Sequence, residues 1–271
     1  WKAPTWRMPN EKNQSKFESY SLNFDSAGTD HIFLVNSSQV SSEFSGIGNA
    51  NSYSFSFWIN TTDSTSLGSP AWYSDVCILE LRTETGSGTK VPFNIGMNGG
   101  KLFFGRTSNH TTSDQYFEST TLVNTGSWVH CAVTVEVNTL KFYINNSLDS
   151  THTFTVATGD CSVGSTNSNF VIASRTTNAG AASAPFSGKI SNINIFDYLL
   201  SSTQISSLYN SGSPINPMTL KPAPIAYYPL GGNSSTGGDS TNTLSVPNIA
   251  VPDASVFDFD GSNDFIDLGT T

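Results

Sequence analysis

Residues 52–60, SYSFSFWIN, alternate strictly: Tyr53, Phe55, Phe57 and Ile59 fall on one side and Ser54, Ser56 and Trp58 on the other. A period of two marks a strand with one buried face, so the first four are predicted core and Trp58 needs a cover of its own. The period recurs at Val129, Cys131, Val133, Val135 and Val137, and again at Leu140, Phe142 and Ile144, after which Asn145-Asn146 opens a turn. Phe55, Phe57, Val133 and Phe142 are the centre of this predicted core. Further strand-like runs, YSLNF, HIFLV, DVCILEL, KLFFG, FVIAS and ISNINIF, stand between turn signals. Many short strands at such spacing predict an all-β, two-sheet sandwich.

A single segment, SSTQISSLYNSG, reads as helical. Ser201 and Gln204 fit a capping box, and Gly212 fits a left-handed stop. Ile205, Leu208 and Tyr209 make one apolar edge, suited to lidding the end of the sandwich. Beyond it, SPINPMTLKPAPIA carries four prolines, which cannot enter a central ladder, and reads as an extended linker. The next stretch repeats an earlier one: FDFDGSNDFIDL stands beside LNFDSAGTDHIFLV. The expected organisation is an N-terminal extended segment (1–19), a sandwich (20–213), a proline-rich linker (214–225) and the opening of a second sandwich (226–271). The last piece supplies about three strands, too few for a two-sheet core, and calls for completion by further chain or by a neighbouring subunit.

Composition narrows the function. Charged residues are only 12% of the 271, so polarity comes from Ser, Thr and Asn. A net charge of −9 with 12 Lys and Arg leaves no basic stripe for phosphates, which argues against nucleic acid. No run approaches the ~20 apolar residues of a membrane span, and WKAPTWRMPNEKNQSK lacks the apolar core of a signal peptide. Cys131 lies in the core stripe as a small hydrophobe, while a bridge between Cys77 and Cys161 stays open. Sequons at Asn36, Asn60, Asn109, Asn145 and Asn233 matter only in a eukaryotic secretory pathway.

In series, SLNFDSAGTDHIFLV, SYSFSFWINTT, SWVHCAVTV, LKFYINN and FSGKISNINIFDYLLSSTQISSLYNSG resemble the landmarks of the laminin G-like, concanavalin A-type jelly rolls. AYYPLGGNSS and FDFDGSNDFIDLG resemble the start of another such domain. The resemblance implies two stacked antiparallel sheets that bind glycans or proteins, sometimes with structural calcium. Where the family's closing strand often reads G-x-I-D-D, Gly188-Lys189-Ile190 is followed here by Ser191 and Asn192, without the two carboxylates.

Glucanases share this sandwich and place paired carboxylates about 5–5.5 Å apart. The nearest stretch, LELRTET, separates Glu80 from Glu84 by four residues, roughly 13 Å along a strand, so the chain is expected not to be an enzyme. For calcium, Asp25 and Asp30 flank the loop DSAGTD and, with Asn192, are candidate ligands. The alternative is that the two aspartates make Asx turns around Gly28. In the second copy Asp258, Asp260 and Asp264 keep more of the acidic pattern. A glycan site needs a flat aromatic face ringed by polar groups. Trp72, Tyr73 and Asp75 in SPAWYSD and Tyr116 in SDQYFES are candidates, with Arg106 as a further donor; the alternative is that these aromatics anchor their own loops. The expected role is a non-catalytic adhesive module on a virion or at an extracellular cell surface. Its partners would be glycans or host-surface molecules, with copies of itself or other structural subunits beside it. A secreted bacterial adhesin, or a cementing protein that binds no sugar, are the alternatives.

Overall fold

The computed structural model describes residues 21–24, 31–34, 37–48, 52–66, 73, 76–85, 88–108, 115–154, 163, 167–176, 182–230 and 242–243. Two antiparallel sheets carry the fold. The first contains β1 (Leu22–Phe24), β14 (Gly188–Phe196), β3 (Tyr53–Asn60), β8 (Val129–Glu136), β9 (Thr139–Ile144) and β10 (Ser147–Thr153) in that order, with β15 (Ala226–Tyr228) also paired to β14. The second runs β16 (Asn242–Thr243), β2 (Ile32–Leu34), β11 (Ser168–Ile172), β4 (Val76–Thr85), β5 (Gly88–Asn98), β6 (Lys101–Thr107) and β7 (Gln115–Leu122), its one parallel pairing being β16 on β2. A short hairpin, β12 (Arg175–Thr176) and β13 (Ala182–Ser183), stands apart.

The predicted parity holds where it matters most. Tyr53, Phe55, Phe57, Ile59, Cys131, Val133 and Phe142 are all fully buried in one core. Val137 departs from its stripe: it takes φ +47° in the turn after β8 and is 46% exposed. The Asn145-Asn146 turn forms as expected, both residues having positive φ, which suits the twist of a tight hairpin. Where the sheets' edges meet, a bulge in β10 presents Asp149, whose carboxylate accepts from the amides of Thr120 (2.7 Å) and Thr121 (2.9 Å) of β7. Cys77 is buried, and Cys161, the other half of the bridge left open by the sequence, lies outside the described residues.

Three features depart from the sequence reading. A helix, α1 (Ser37–Glu43), was not expected; Val40, Phe44 and Ile47, spaced four and three apart, bury an apolar stripe there, and Phe44 meets Phe170 at 5.0 Å. The expected helix forms as α2 (Ser202–Tyr209) with Ser201 and Gln204 in a reciprocal capping box, but Asn210, not Gly212, takes the first left-handed position. That helix covers the outer face of the first sheet rather than its end. Residues 225–230, the end of the stretch read as linker and the start of that read as a second domain, also join the first sandwich. Ala226, Tyr228 and Leu230 enter the core, Ile225 donates to the Ile195 carbonyl (2.9 Å) and Tyr198 Oη to that of Pro222 (2.6 Å). The physical reason is that β1 pairs only with Gly188–Ile190, leaving the rest of β14's edge open for AYY. Apart from Asn242–Thr243, the remaining second-copy residues, Asp258, Asp260 and Asp264 among them, lie outside the described residues.

The cover that Trp58 requires is supplied by α2. Tyr209 stacks on Trp58 at 6.0 Å, and His130, its cross-strand neighbour, approaches both rings. His130 Nε2 is 2.8 Å from Ser56 Oγ, while Nδ1 has no hydrogen bond among the described residues. Burial lowers this imidazole from the ordinary 6.5 to about 3. The folded protein therefore keeps His130 neutral while the unfolded chain takes up a proton below about 6.5. Stability is undiminished above that pH and falls as pH drops toward 3, by about 2 kcal/mol at about pH 5. Denaturant melts should show this slope, and His130→Gln should flatten it. An unchanged slope in the variant would assign the acid lability elsewhere.

Candidate functional site

The outer face of the second sheet carries its chemistry in two transverse rows. Strand register places Glu80, Asn94, Gly105 and Tyr116 side by side across β4, β5, β6 and β7. The adjoining row is Cys77, Gly96, Phe103 and Glu118. These residues alternate with the core residues Leu79, Leu81, Phe93, Ile95, Leu102 and Phe104, which is why they point away from the sandwich interior. A bulge in each of β4 and β5 shifts the pairing and keeps the polar set on one side.

Within the rows each polar group is held. Asn94 Nδ2 donates to Glu80 Oε2 (3.0 Å) and approaches Cys77 Sγ (3.4 Å). Arg82 sits between Glu80, 3.7 Å from its Oε1, and Glu84, with which it forms a close ion pair; Thr89 Oγ1 also donates to Glu84 (2.7 Å). Glu80 and Asn94 are completely buried. Toward the β7 edge the face opens. The Tyr116 ring is 40% exposed and stacks on the buried Phe103 ring, centroids 6.2 Å apart and planes 15° from parallel. Beside it, Asn98 Nδ2 donates to Glu118 Oε1 (2.6 Å), and Asn98 Oδ1 has no hydrogen bond among the described residues.

Of the candidate glycan residues, Tyr116 therefore lies on this face. The Tyr73 ring lies under the Arg175 guanidinium at 4.1 Å, beside the β12–β13 hairpin and before β4 begins. Trp72 and Asp75 lie outside the described residues. Arg106 is on the opposite, inner side, 1% exposed, with its guanidinium 3.4 Å above the Phe154 ring. The parity of Leu102, Phe104 and Arg106 accounts for that placement and removes Arg106 from the surface site. Sequence reasoning missed Phe103, Asn98 and Glu118, although the neighbouring Phe103 and Phe104 must point to opposite faces of any strand, which was the available signal.

Of the candidate calcium set, Asn192 alone is among the described residues. Asp25 and Asp30 lie outside the described residues. Asn192 sits in the bulge of β14 with φ +51°, its Oδ1 accepting from Tyr227 Oη (2.9 Å) and its Nδ2 donating to Ser191 Oγ (2.7 Å). Its oxygen is thus committed to a phenol. Phe24, the last residue of β1, faces Gly188, four residues and roughly 13 Å along the strand from Asn192. Among the described residues no group of three His, Cys, Asp or Glu could hold a metal ion, and no helix is long and apolar enough to cross a membrane.

Residues 26–206 match the laminin G family model described as the concanavalin A-like lectin/glucanases superfamily. No curated protein matches the chain. Among solved structures, a native heptameric SAP-like pentraxin from Limulus polyphemus is similar at 15% identity and TM-score 0.46, over 72% of this chain and 82% of that one. A putative carbohydrate-binding protein from Bacteroides ovatus is similar at 16% identity and TM-score 0.48, over 79% of this chain, which spans about half (52%) of that protein. The CBM40 of a Ruminococcus gnavus IT-sialidase, solved bound to α2,3-sialyllactose, is similar at 13% identity and TM-score 0.45, over 59% of this chain and 84% of that one. With likeness so low, it is the sequence match across two thirds of the chain, on a two-sheet antiparallel sandwich, that decides membership: the chain belongs to the concanavalin A-like lectin/glucanase superfamily.

Proposed function

We propose that this chain is a non-catalytic glycan-binding module whose contact face is the open, Tyr116 end of the second sheet's outer rows. The observation that carries this reading is the Tyr116 ring, exposed on one side and fixed from behind by Phe103. A rigid aromatic plane presents little entropy cost to a sugar's C–H face, while the half-buried Glu118 offers a polar contact beside it.

Hydrolysis is disfavoured by how the acids are held: Glu80 is completely buried, and Arg82 lies between the Glu80 and Glu84 carboxylates and contacts both, while Asn94 and Thr89 donate to them as well. The low charge and the abundance of Ser, Thr and Asn support a place on a virion or microbial surface, either as an adhesin or as a component of a fibre. Mass spectrometry of purified particles against cell-surface fractions separates the two.

A glycan array tests the binding itself. The parent should bind at least one glycan class, and Tyr116→Ala should weaken that binding roughly tenfold or more, a loss of about 1.4 kcal/mol. An array without hits would favour a cementing role. Turnover of β-glucans that disappears in Glu80→Gln would overturn the non-catalytic reading.

A further inference from the structure

The opposite side of the sandwich carries a second cleft. It lies on the outer face of the first sheet, between the β8–β9 hairpin and the segment that leads into α2, with a volume of about 270 Å3. Thr134, Glu136, Lys141 and Tyr143 form its floor, and Leu199 to Ser202 form its wall. Thr134 faces Lys141 and Glu136 faces Thr139 across the ladder, so the two charged side chains are diagonal neighbours.

The position is rigid. Tyr143 and Leu200 pack against the apolar cluster of Ala132, Phe196, Ile205 and Leu208 that fastens α2 to the sheet. On the wall, the capping box of Ser201 and Gln204 holds the entry to the helix. The chemistry within the cleft is nevertheless unspent. The Glu136 carboxylate, the Lys141 ammonium and the Tyr143 hydroxyl make no hydrogen bond or ion pair among the described residues. Burial raises the Tyr143 phenol, which keeps it a neutral donor and acceptor.

We propose that this cleft binds a small, neutral, polyhydroxylated ligand, one pyranose ring in size, at a site separate from the Tyr116 face. Charge selects the class. An anion would meet Glu136, and a cation would meet Lys141. A hydroxyl group both donates and accepts, so adjacent hydroxyls satisfy the carboxylate and the ammonium together through charge-assisted hydrogen bonds. Tyr143 provides the flat face for the ring's C–H side. The volume lies just under the range for drug-sized ligands, which limits the guest to about one ring. Occupied together with the Tyr116 face, on the other sheet, the cleft would make one module bivalent, so that branched or dense glycans are held by both faces.

The test is NMR titration of the full chain with methyl β-D-glucopyranoside, methyl β-D-galactopyranoside and N-acetylneuraminic acid. One or both neutral glycosides should shift the Tyr143 and Lys141 resonances. Lys141→Met and Glu136→Gln, both on the surface and away from the core, should each weaken that response at least fivefold, while Tyr116→Ala should leave it unchanged. The unchanged response in Tyr116→Ala keeps the outcome independent of the Tyr116 site. Failure of both glycosides to move Tyr143 or Lys141, retention of the response in both charge variants, or preference for N-acetylneuraminic acid would each overturn the proposal.

Discussion

Phe55→Ala is expected to lower the free energy of unfolding by about 3–5 kcal/mol, the cost of deleting a fully buried aromatic ring. Its position explains why the loss should fall at the upper part of that range. In the first sheet, Phe55 meets Tyr53 edge-on at 5.7 Å, and across the sandwich it meets Phe93 of the second sheet at 4.5 Å. Phe93 contacts Phe170 at 6.4 Å, and Phe170 in turn meets Phe44, just past the end of α1, and Tyr228 of β15. The ring thus begins an aromatic chain that joins two sheets, a helix and the last strand of the core. A cavity there separates groups that cannot collapse together, because each is held by its own ladder. Urea denaturation of parent and variant measures the difference. A loss below about 1 kcal/mol would contradict the assignment of Phe55 to the centre of the core.

Ending the chain at Gly212 is expected to destabilise the sandwich by about 3–6 kcal/mol relative to a chain that ends at Leu230. The difference is the burial of Tyr228 and Leu230, each about 1.5–3 kcal/mol. The shorter chain also uncovers Phe170, on which Tyr228 stacks at 5.5 Å, and leaves Ile193–Ile195 without its β15 partner. An exposed apolar strand edge of this kind invites association, so the shorter chain should also aggregate more readily. Thermal melts and light scattering of the two chains test this. If both melt together and stay monomeric, Ala226–Leu230 is not an integral part of the first sandwich. Tyr228→Ala in the longer chain isolates the stacking contribution from that of the proline-rich segment.

The two results bear on how such modules connect. AYYPL resembles the opening of a second domain, yet it pairs with the closing strand of the first. A boundary drawn at the proline-rich segment would cut a strand out of a packed core. Asn192 illustrates the coupling: its side chain holds Tyr227 Oη, and its amide donates to the Pro229 carbonyl (3.1 Å).

Strand identity and strand parity were legible because they are local. Tyr53, Phe55, Phe57 and Ile59 share a face whatever partner strand lies beside them, and Ser201 caps its helix through contacts within one turn. The same local rule places Phe103 outward and Arg106 inward once KLFFGR is taken as a strand. The helix α1 was illegible because seven residues with only Val40 described as buried among them carry little periodic signal, and its stripe is completed by Phe44 and Ile47 beyond the helix itself.

What tertiary structure alone decided is which residues from different strands become neighbours. The row of Glu80, Asn94, Gly105 and Tyr116 depends on the registers of three strand pairs and on the bulges that shift them. A shift of one residue at any pair would turn a side chain to the other face, and no single segment encodes that register. The cover over Trp58, the cleft beside Tyr143 and the insertion of β15 likewise arise between segments far apart in the chain. The sequence alone determined the faces, because alternation is a property of one strand. Their assembly into a site waited for the fold, because pairing, burial and edge filling are settled by competition among all strands for the same partners.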